Sequence, residues 1–172
     1  MKNGLYELFA EELKDMHSSE NQIVKSLPKL IKIASLPELK EALTNHLRET
    51  ENQVTRIEKI FSILGIHGEE TCEAMKGLLH EADALTKRTK SSTLDAAIIS
   101  AAQKVEHYEI ASYGTLRSFA KHLDFDKEII DLLKETLEEE AAADKKLTKI
   151  ADGSFFSSGV NKEAAAVGHK KK

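Results

Sequence analysis

Acidic residues recur where four long helical stretches should present their apolar faces, and this pattern carries the most chemistry in the chain. Glu20, Glu49, the pair Glu106 and Glu109, and the pair Glu140 and Asp144 lie near the middle of successive stretches, most with apolar residues three or four positions away. A carboxylate at such a place points at least partly inward. Burying several of them without counter-charge is very costly. A hard cation offsets that cost most simply, and iron or manganese inside a helix bundle is the best-known solution. Glu106 and Glu109 are three residues apart, hence on one face, and suit a terminal and a bridging carboxylate. Asp144 stands one turn beyond Glu140. His46, one turn before Glu49, could be a ligand, a partner holding a carboxylate, or an ordinary half-buried histidine. Six inward carboxylates would carry six negative charges, against four positive charges on two divalent cations and six on two ferric ions. Without metal, desolvation and mutual repulsion would raise several of their pKa values together.

The elements that must hold these residues read as helices. The first runs from about Leu5 to Ala34 with the stripe Phe9, Leu13, Met16, Ile23, Leu27, Leu30, and Glu20 fills the missing place in it. Pro28 should kink its last third. The second opens at SLPEL, with Pro37 in the first turn and Glu38 favourable to the dipole, and runs to about Leu64 before Gly65. Its inner face reads Leu39, Leu43, His46, Glu49, Gln53, Ile57, Ile60. A connection from Ile66 to Lys90 follows, with a shorter amphipathic stretch around Cys72, Met75, Leu78 and Leu79, long enough to cross from one end of a bundle to the other. The third long helix begins at SSTLDAA, where Ser92 and Asp95 have capping-box spacing. Its face reads Ile98, Ala102, Val105, Glu106, Glu109, Tyr113, Leu116, Ala120. Asp124 or Asp126 caps the fourth, which presents Leu133, Leu137, Glu140, Ala141, Asp144, Leu147 and Ala151. Beyond Gly153 the run GSFFSSGVNKEAAAVGHKKK has no sustained periodicity, so residues 153–172 read as a flexible tail behind one domain at 1–152. Two helices, a crossover and two more helices describe an all-α, ferritin-like four-helix bundle.

The whole chain narrows the function classes. With 172 residues, 31% charged and 41% hydrophobic, only 2 Pro and 8 Gly, it fits one helical domain. The single Cys72 excludes an internal disulfide and points to a reducing compartment. No apolar run approaches the roughly 20 residues of a membrane span. The N-terminal MKNGLYELFAEELKDM places acids where a signal peptide needs an apolar core, and a cytoplasmic protein is expected. A net charge of −4 argues against general nucleic-acid binding, and the terminal HKKK reads as a solvated end.

Several runs together carry a family resemblance. LPKLIKIASLPELKEALTNHLRETENQVTRIEKIF, AAQKVEHYEIASYGTL and LLKETLEEEAAADKKLTKIA make residues 4 to 151 resemble the YciE/YciF family of ferritin-like bacterial stress proteins. The resemblance implies a rubrerythrin-like di-iron bundle, dimerisation and expression under stress. Residue by residue, Glu20, Glu49, Glu106, Glu109 and Glu140 match the family's carboxylates. The Glu-x-x-His of ferritins at large is absent, since Asn52 follows Glu49 and Ala143 follows Glu140 at that spacing. Asp144, with either Gln53 or His46, would then have to substitute.

Two function classes follow. In one, two iron ions per chain, with manganese or zinc as substitutes, support ferrous oxidation or the reduction of dioxygen or peroxide. No rubredoxin-like CxxC is present, which favours simple ferrous oxidation over rubrerythrin-type peroxidase turnover. In the other, a non-enzymatic stress protein acts through dimer contacts, and its metal is structural or its site vestigial. A twofold homodimer is the expected assembly, with Phe61, Ile63 and Ile66 as the apolar surface for it. His17 reads as a surface residue or a support, and His107 as a surface residue. Glu138 and Glu139 read as solvated. Tyr113, one turn after Glu109, either bonds to the site or packs in the core, and Cys72 reads as a buried structural thiol.

Overall fold

The computed structural model of the chain describes residues 4–68, 70–90, 93–154 and 157–169. Four long helices, Gly4–Ile33 (α1), Pro37–Leu64 (α2), Leu94–His122 (α4) and Lys127–Asp152 (α5), form the bundle, and Glu73–Arg88 (α3) lies in the crossover. Short turns make α1 with α2 and α4 with α5 antiparallel neighbours. The ring closes through α2 against α5 and α1 against α4, while α3 packs on α4 and α1. The ferritin-like arrangement expected from the stripes is therefore the one found.

Local chemistry explains where the helices stop and start. Pro37 supplies a preset φ at the first position of α2. Gly65 ends it at φ +62°, a left-handed conformation that glycine adopts without a Cβ penalty. The capping box expected between Ser92 and Asp95 falls on Ser92, which lies outside the described residues. The two carboxylate oxygens of Asp95 accept from the N–H groups of Ser35 and Leu36 at 2.8 and 2.9 Å. One side chain of α4 thus satisfies the donors of the α1–α2 turn. Asp126 occupies the cap position of α5, but its side chain makes no capping bond there. Pro28 lies on the exposed side of α1, which continues to Ile33.

The core divides in two. One apolar cluster gathers Ile23, Leu27 and Leu30 with Leu39, Leu43, Ile98, Val105, Leu147 and Ile150. The other gathers Phe9, Leu13 and Met16 with Ile57, Ile60, Tyr113, Leu116, Ile129 and Leu133. Between them, at mid-height on all four long helices, sit the buried polar residues Ser19, Glu20, His46, Thr50, Gln53, Glu106, Glu109, Thr136 and Glu140. No described helix is long and apolar enough to cross a membrane.

Two sequence expectations need correction. Ile66 is not surface for a partner: it is buried in the second cluster, with Phe61 packed against it, and of the three residues offered for a dimer contact only Ile63 is exposed. The stretch beyond Gly153 is not a featureless tail. Gly153–Ser154 (β1) pairs antiparallel with Ser157–Ser158 (β2), and Val160–His169 (α6) packs on α5 and α4 with Val160 in the core. Residues 170–172, the lysines of HKKK, lie outside the described residues.

The return of the chain depends on Gly159, where an added Cβ would fall 2.2 Å from the carbonyl carbon of Asp152 and 2.3 Å from the nitrogen of Gly153. Gly159→Ala should therefore loosen α6 from the bundle, costing about 1–3 kcal/mol as overpacking does. The checks are a lower melting temperature and faster protease cleavage between α5 and α6. An unchanged cleavage pattern would mean that α6 is not docked.

Candidate metal centre

Each long helix supplies one part of the polar layer. On α2, His46, Thr50, Gln53 and Ile57 follow one another at spacings of four, three and four, which keeps them on one face. On α4 the i, i+3 pair Glu106 and Glu109 takes the place of two apolar residues in a stripe that is otherwise Ile98, Ala102, Val105, Tyr113 and Leu116. Glu20 on α1 and Glu140 on α5 each replace a single core residue. Glu20, Glu109 and Glu140 are fully buried and Glu106 is 3% exposed.

One donor atom each from His46, Glu106, Glu109 and Glu140 lie within 4.8 Å of one another. His46 Nε2 is 3.4 Å from Glu106 Oε1 and 3.9 Å from Glu140 Oε2, too long for good hydrogen bonds. Donors each about 2.1 Å from a shared cation lie at most about 4.2 Å apart, so contraction by a few tenths of an ångström would close this set on one ion.

Hydrogen bonding leaves the layer incomplete in the way a cation would complete it. Tyr113 donates its hydroxyl to Glu20 Oε1, and Gln53 donates through Nε2 to Glu140 Oε1. The buried atoms Glu20 Oε2, Glu106 Oε2, both oxygens of Glu109, Glu140 Oε2 and both ring nitrogens of His46 make no hydrogen bond among the described residues. Buried polar groups are otherwise nearly always satisfied. Acceptors that converge without donors fit a divalent metal, and carboxylates with one imidazole suit iron, manganese or zinc. The four buried carboxylates carry the charge that two divalent cations balance.

The electrostatics follow from burial. Loss of water pushes the Glu20 carboxyl well above its usual range, and the nearby Glu140 adds to the shift. Burial does the same to Glu109, reinforced by Glu140, Glu20 and Glu106. Glu106 is raised by burial and then by Glu140. Two like charges about 4 Å apart repel by about 4 kcal/mol at an effective dielectric of about 20, so the empty layer retains protons. Burial opposes charge on His46, but the Glu49 carboxylate, 3.7 Å from Nδ1, and the field of Glu140 outweigh it and hold the imidazole pKa above its ordinary value.

The residues expected at the site divide into two groups. Glu20, Glu106, Glu109, Glu140 and His46 meet in the layer. Glu49 is placed at its edge, with a side chain 43% exposed and its Oε2 3.7 Å from His46 Nδ1. Asp144 is placed on the outer side of the α4–α5 seam, where it accepts from Gln103 at 2.9 Å and lies 3.4 Å from exposed His107. Glu139 is not simply solvated, as its position beside the stripe had suggested. Arg56 grips it through both guanidinium nitrogens at 2.6 and 2.8 Å, and it accepts from Gln53 Nε2 at 3.0 Å. Arg56 also reaches Glu135 at 2.7 Å. This latch fixes the direction of the Gln53 amide, and a sign of it lay in the sequence: Arg56 follows Gln53 by three residues and Glu139 precedes Glu140. A second group, not anticipated, joins Cys72 Sγ to the Tyr108 hydroxyl at 3.2 Å, while that hydroxyl donates to Asp15 at 2.7 Å. Cys72 is fully buried and accepts from the N–H of Met75, so it caps α3 as a structural thiol.

Residues 4–165 match the family described as a domain of unknown function, DUF892. Protein YciF of Escherichia coli strain K12 is 46% identical over 149 residues, spanning 84% of this chain and 89% of YciF. The crystal structure of that E. coli protein, described as a stress protein, superposes with a TM-score of 0.81 at 43% identity, covering 87% of this chain and 94% of the other. YcfI of Rhodopseudomonas palustris, described as a candidate structural protein, superposes with a TM-score of 0.82 at 41% identity over 87% of this chain and 96% of its own. A Xanthomonas campestris protein at 19% identity, with a TM-score of 0.67, shares the fold.

The raised carboxyls set the pH dependence of the metal-free protein. In the folded state Glu20, Glu106 and Glu109 keep protons above the ordinary value of 4.5, and His46 keeps its proton above 6.5. The folded chain therefore binds more protons than the unfolded one between those values and the raised ones, so stability is greatest at low pH in that window and falls as pH rises through it. Melting temperatures of chelator-treated protein should decline from about pH 5 towards pH 8. Added divalent cation should raise them most at the high end, where ligands lose protons most readily. A flat profile that metal does not alter would contradict this.

Proposed function

This chain belongs to the DUF892 family, and from that footing we propose that its buried polar layer is a dinuclear carboxylate metal centre, iron by preference, that oxidises ferrous ion with dioxygen or peroxide. The supporting observation is the set of converging buried acceptors, Glu106 Oε2, Glu140 Oε2, both oxygens of Glu109 and Glu20 Oε2, beside an imidazole, none of which finds a hydrogen-bond partner among the described residues. Iron in such a donor set supplies one-electron chemistry towards dioxygen or peroxide. The protein's own part is to bind and to orient. Glu109 and Glu140 lie near both Glu20 and Glu106, and with His46 these residues would hold the metal. Gln53 and Tyr113 each hold one carboxylate oxygen by a hydrogen bond, leaving the other free to bind or shift. The two apolar clusters keep water from the layer on both sides. The description of the E. coli relative's crystal structure as that of a stress protein supports a role under stress, where limiting free ferrous ion would matter. A homodimer is proposed as the assembly, with sedimentation as its check.

A second reading has its own support. Because Gln53 and Tyr113 already satisfy one oxygen each of Glu140 and Glu20, the layer is partly neutral without metal, and YcfI is described in structural terms. In that reading the metal only stabilises the dimer and performs no redox chemistry. Loading with ferrous ion without oxygen and then admitting air separates the two: ferric absorbance supports the first, and a metal-dependent rise in melting temperature without absorbance supports the second.

Glu109→Gln removes one charge from the centre of the layer while nearly keeping its shape. Bound metal per chain should fall, ferrous oxidation should slow by about tenfold or more, and the metal-free protein should be equally or more stable, since a repulsive buried charge has gone. Glu138→Gln is the matched control, because Glu138 is exposed and pairs with Lys134 at 3.4 Å on the surface of α5. Full metal content and full rate in both variants would exclude Glu109 as a ligand.

A further inference from the structure

A cleft of about 370 Å³ opens between α2 and α5 and ends on the polar layer. A water molecule needs only about 10–15 Å³ of such space, so a divalent ion can enter with its hydration shell. At the floor are His46 and Glu106, 6% and 3% exposed. Both ring nitrogens of His46 and Glu106 Oε2 find no hydrogen-bond partner among the described residues. Of the two carboxylates nearer the surface, Glu139 is committed to Arg56 at 2.6 Å. Glu49 faces solvent, its side chain 43% exposed, with Oε2 3.7 Å from His46 Nδ1.

The His46 ring therefore stands between two sets of carboxylates. Its Nδ1 is turned to Glu49 at the mouth, while Nε2 lies 3.4 Å from Glu106 and 3.9 Å from Glu140 inside. A cation moving inward meets a donor atom at every stage: Glu49, then the imidazole, then Glu106 and Glu140. Arg48 and Lys146 also line the cleft, and the fields of both act on Glu49. They weaken its hold on a cation, whereas the four buried carboxylates behind it draw the ion on. A site of passage must bind well enough to admit an ion and weakly enough to release it. A half-exposed carboxylate flanked by two cations meets that requirement.

We propose that this cleft is the route by which a hydrated divalent cation reaches the layer, with Glu49 as a transit ligand that takes the ion at the mouth and passes it by way of His46 to Glu106 and Glu140. The route rests on the metal reading above and assigns Glu49 to uptake instead of to the bound centre.

Stopped-flow uptake of cobalt(II) by the metal-free full chain, followed by the visible absorbance of the bound ion, reads rate and stoichiometry separately. Glu49→Gln should slow uptake by about tenfold, with the final stoichiometry and affinity unchanged. Glu51→Gln removes the same charge from an exposed position of α2 and should leave the rate near that of the unaltered chain. Arg48→Ala with Lys146→Ala, both exposed, should speed uptake, because two repelling charges have left the mouth. Ala143→Phe should slow it by narrowing the cleft. Equal rates in Glu49→Gln and Glu51→Gln would overturn the proposal, since Glu49 would then take no part in entry. Less metal bound, or weaker binding, in Glu49→Gln would overturn it too, since Glu49 would then belong to the bound centre. Both results leave the centre itself standing. If the unaltered chain binds no cobalt at all, the centre falls and the route with it.

Discussion

Four carboxylates withdrawn from water at a single depth of the bundle, Glu20, Glu106, Glu109 and Glu140, are the constraint on which the rest of this structure depends. Each would be unfavourable alone in an apolar core, and together they repel one another. The fold contains them by stacking a large apolar cluster above and another below, so that the layer interrupts the core without ending it. Hydrophobic burial in the two clusters stabilises the bundle, whereas the layer fixes how its helices align. Sliding α1, α4 or α5 by one turn would push a carboxylate towards one of the apolar clusters, and sliding α2 would do the same to His46 or Gln53. Buried polar groups that pin register in this way are a known device in helical assemblies.

The layer is also asymmetric, and its asymmetry has chemical content. On the α2–α5 side Gln53 donates to both Glu139 and Glu140, with Arg56 anchoring Glu139 from outside, so that this edge is held by a chain of hydrogen bonds. On the α1–α4 side a single hydroxyl, that of Tyr113, serves Glu20. His46 faces Glu106 and Glu140 without bonding well to either. The arrangement combines rigid supports with free acceptors. It fits carboxylates that must change their mode of binding as the charge at their centre changes, since one oxygen is held while the other is left to move.

Much of the fold was legible because apolar residues recur at helical spacing for nearly thirty residues at a time in α1, α2, α4 and α5. Glu20, Glu106, Glu109 and Glu140 were legible for the same reason: each stands where a long apolar stripe is broken. Glu49 and Asp144 show the limit of that signal. At about 100° per residue, Glu49 is turned about 60° from His46 and Asp144 about 40° from Glu140, enough to move a side chain from the layer to its edge. Asn45, Asn52 and Gln53 around Glu49 gave no stripe from which to judge the angle. The bond of Asp95 to the α1–α2 turn was not legible, because the donors it satisfies are about sixty residues earlier in the chain, a pairing that only the packed bundle creates. α6 escaped notice because its docking rests on Val160 and on the space left at Gly159, not on an apolar stripe.

The most direct test of the metal centre is anomalous diffraction from crystals of this protein grown with manganese or ferrous ion, recorded on both sides of the metal absorption edge. The account predicts edge-dependent density inside the layer, bounded by His46, Glu106, Glu109 and Glu140 and extending towards Glu20, with the carboxylates drawn in around it. A layer that shows no such density at saturating metal, with its carboxyl groups paired to one another through protons, would contradict it.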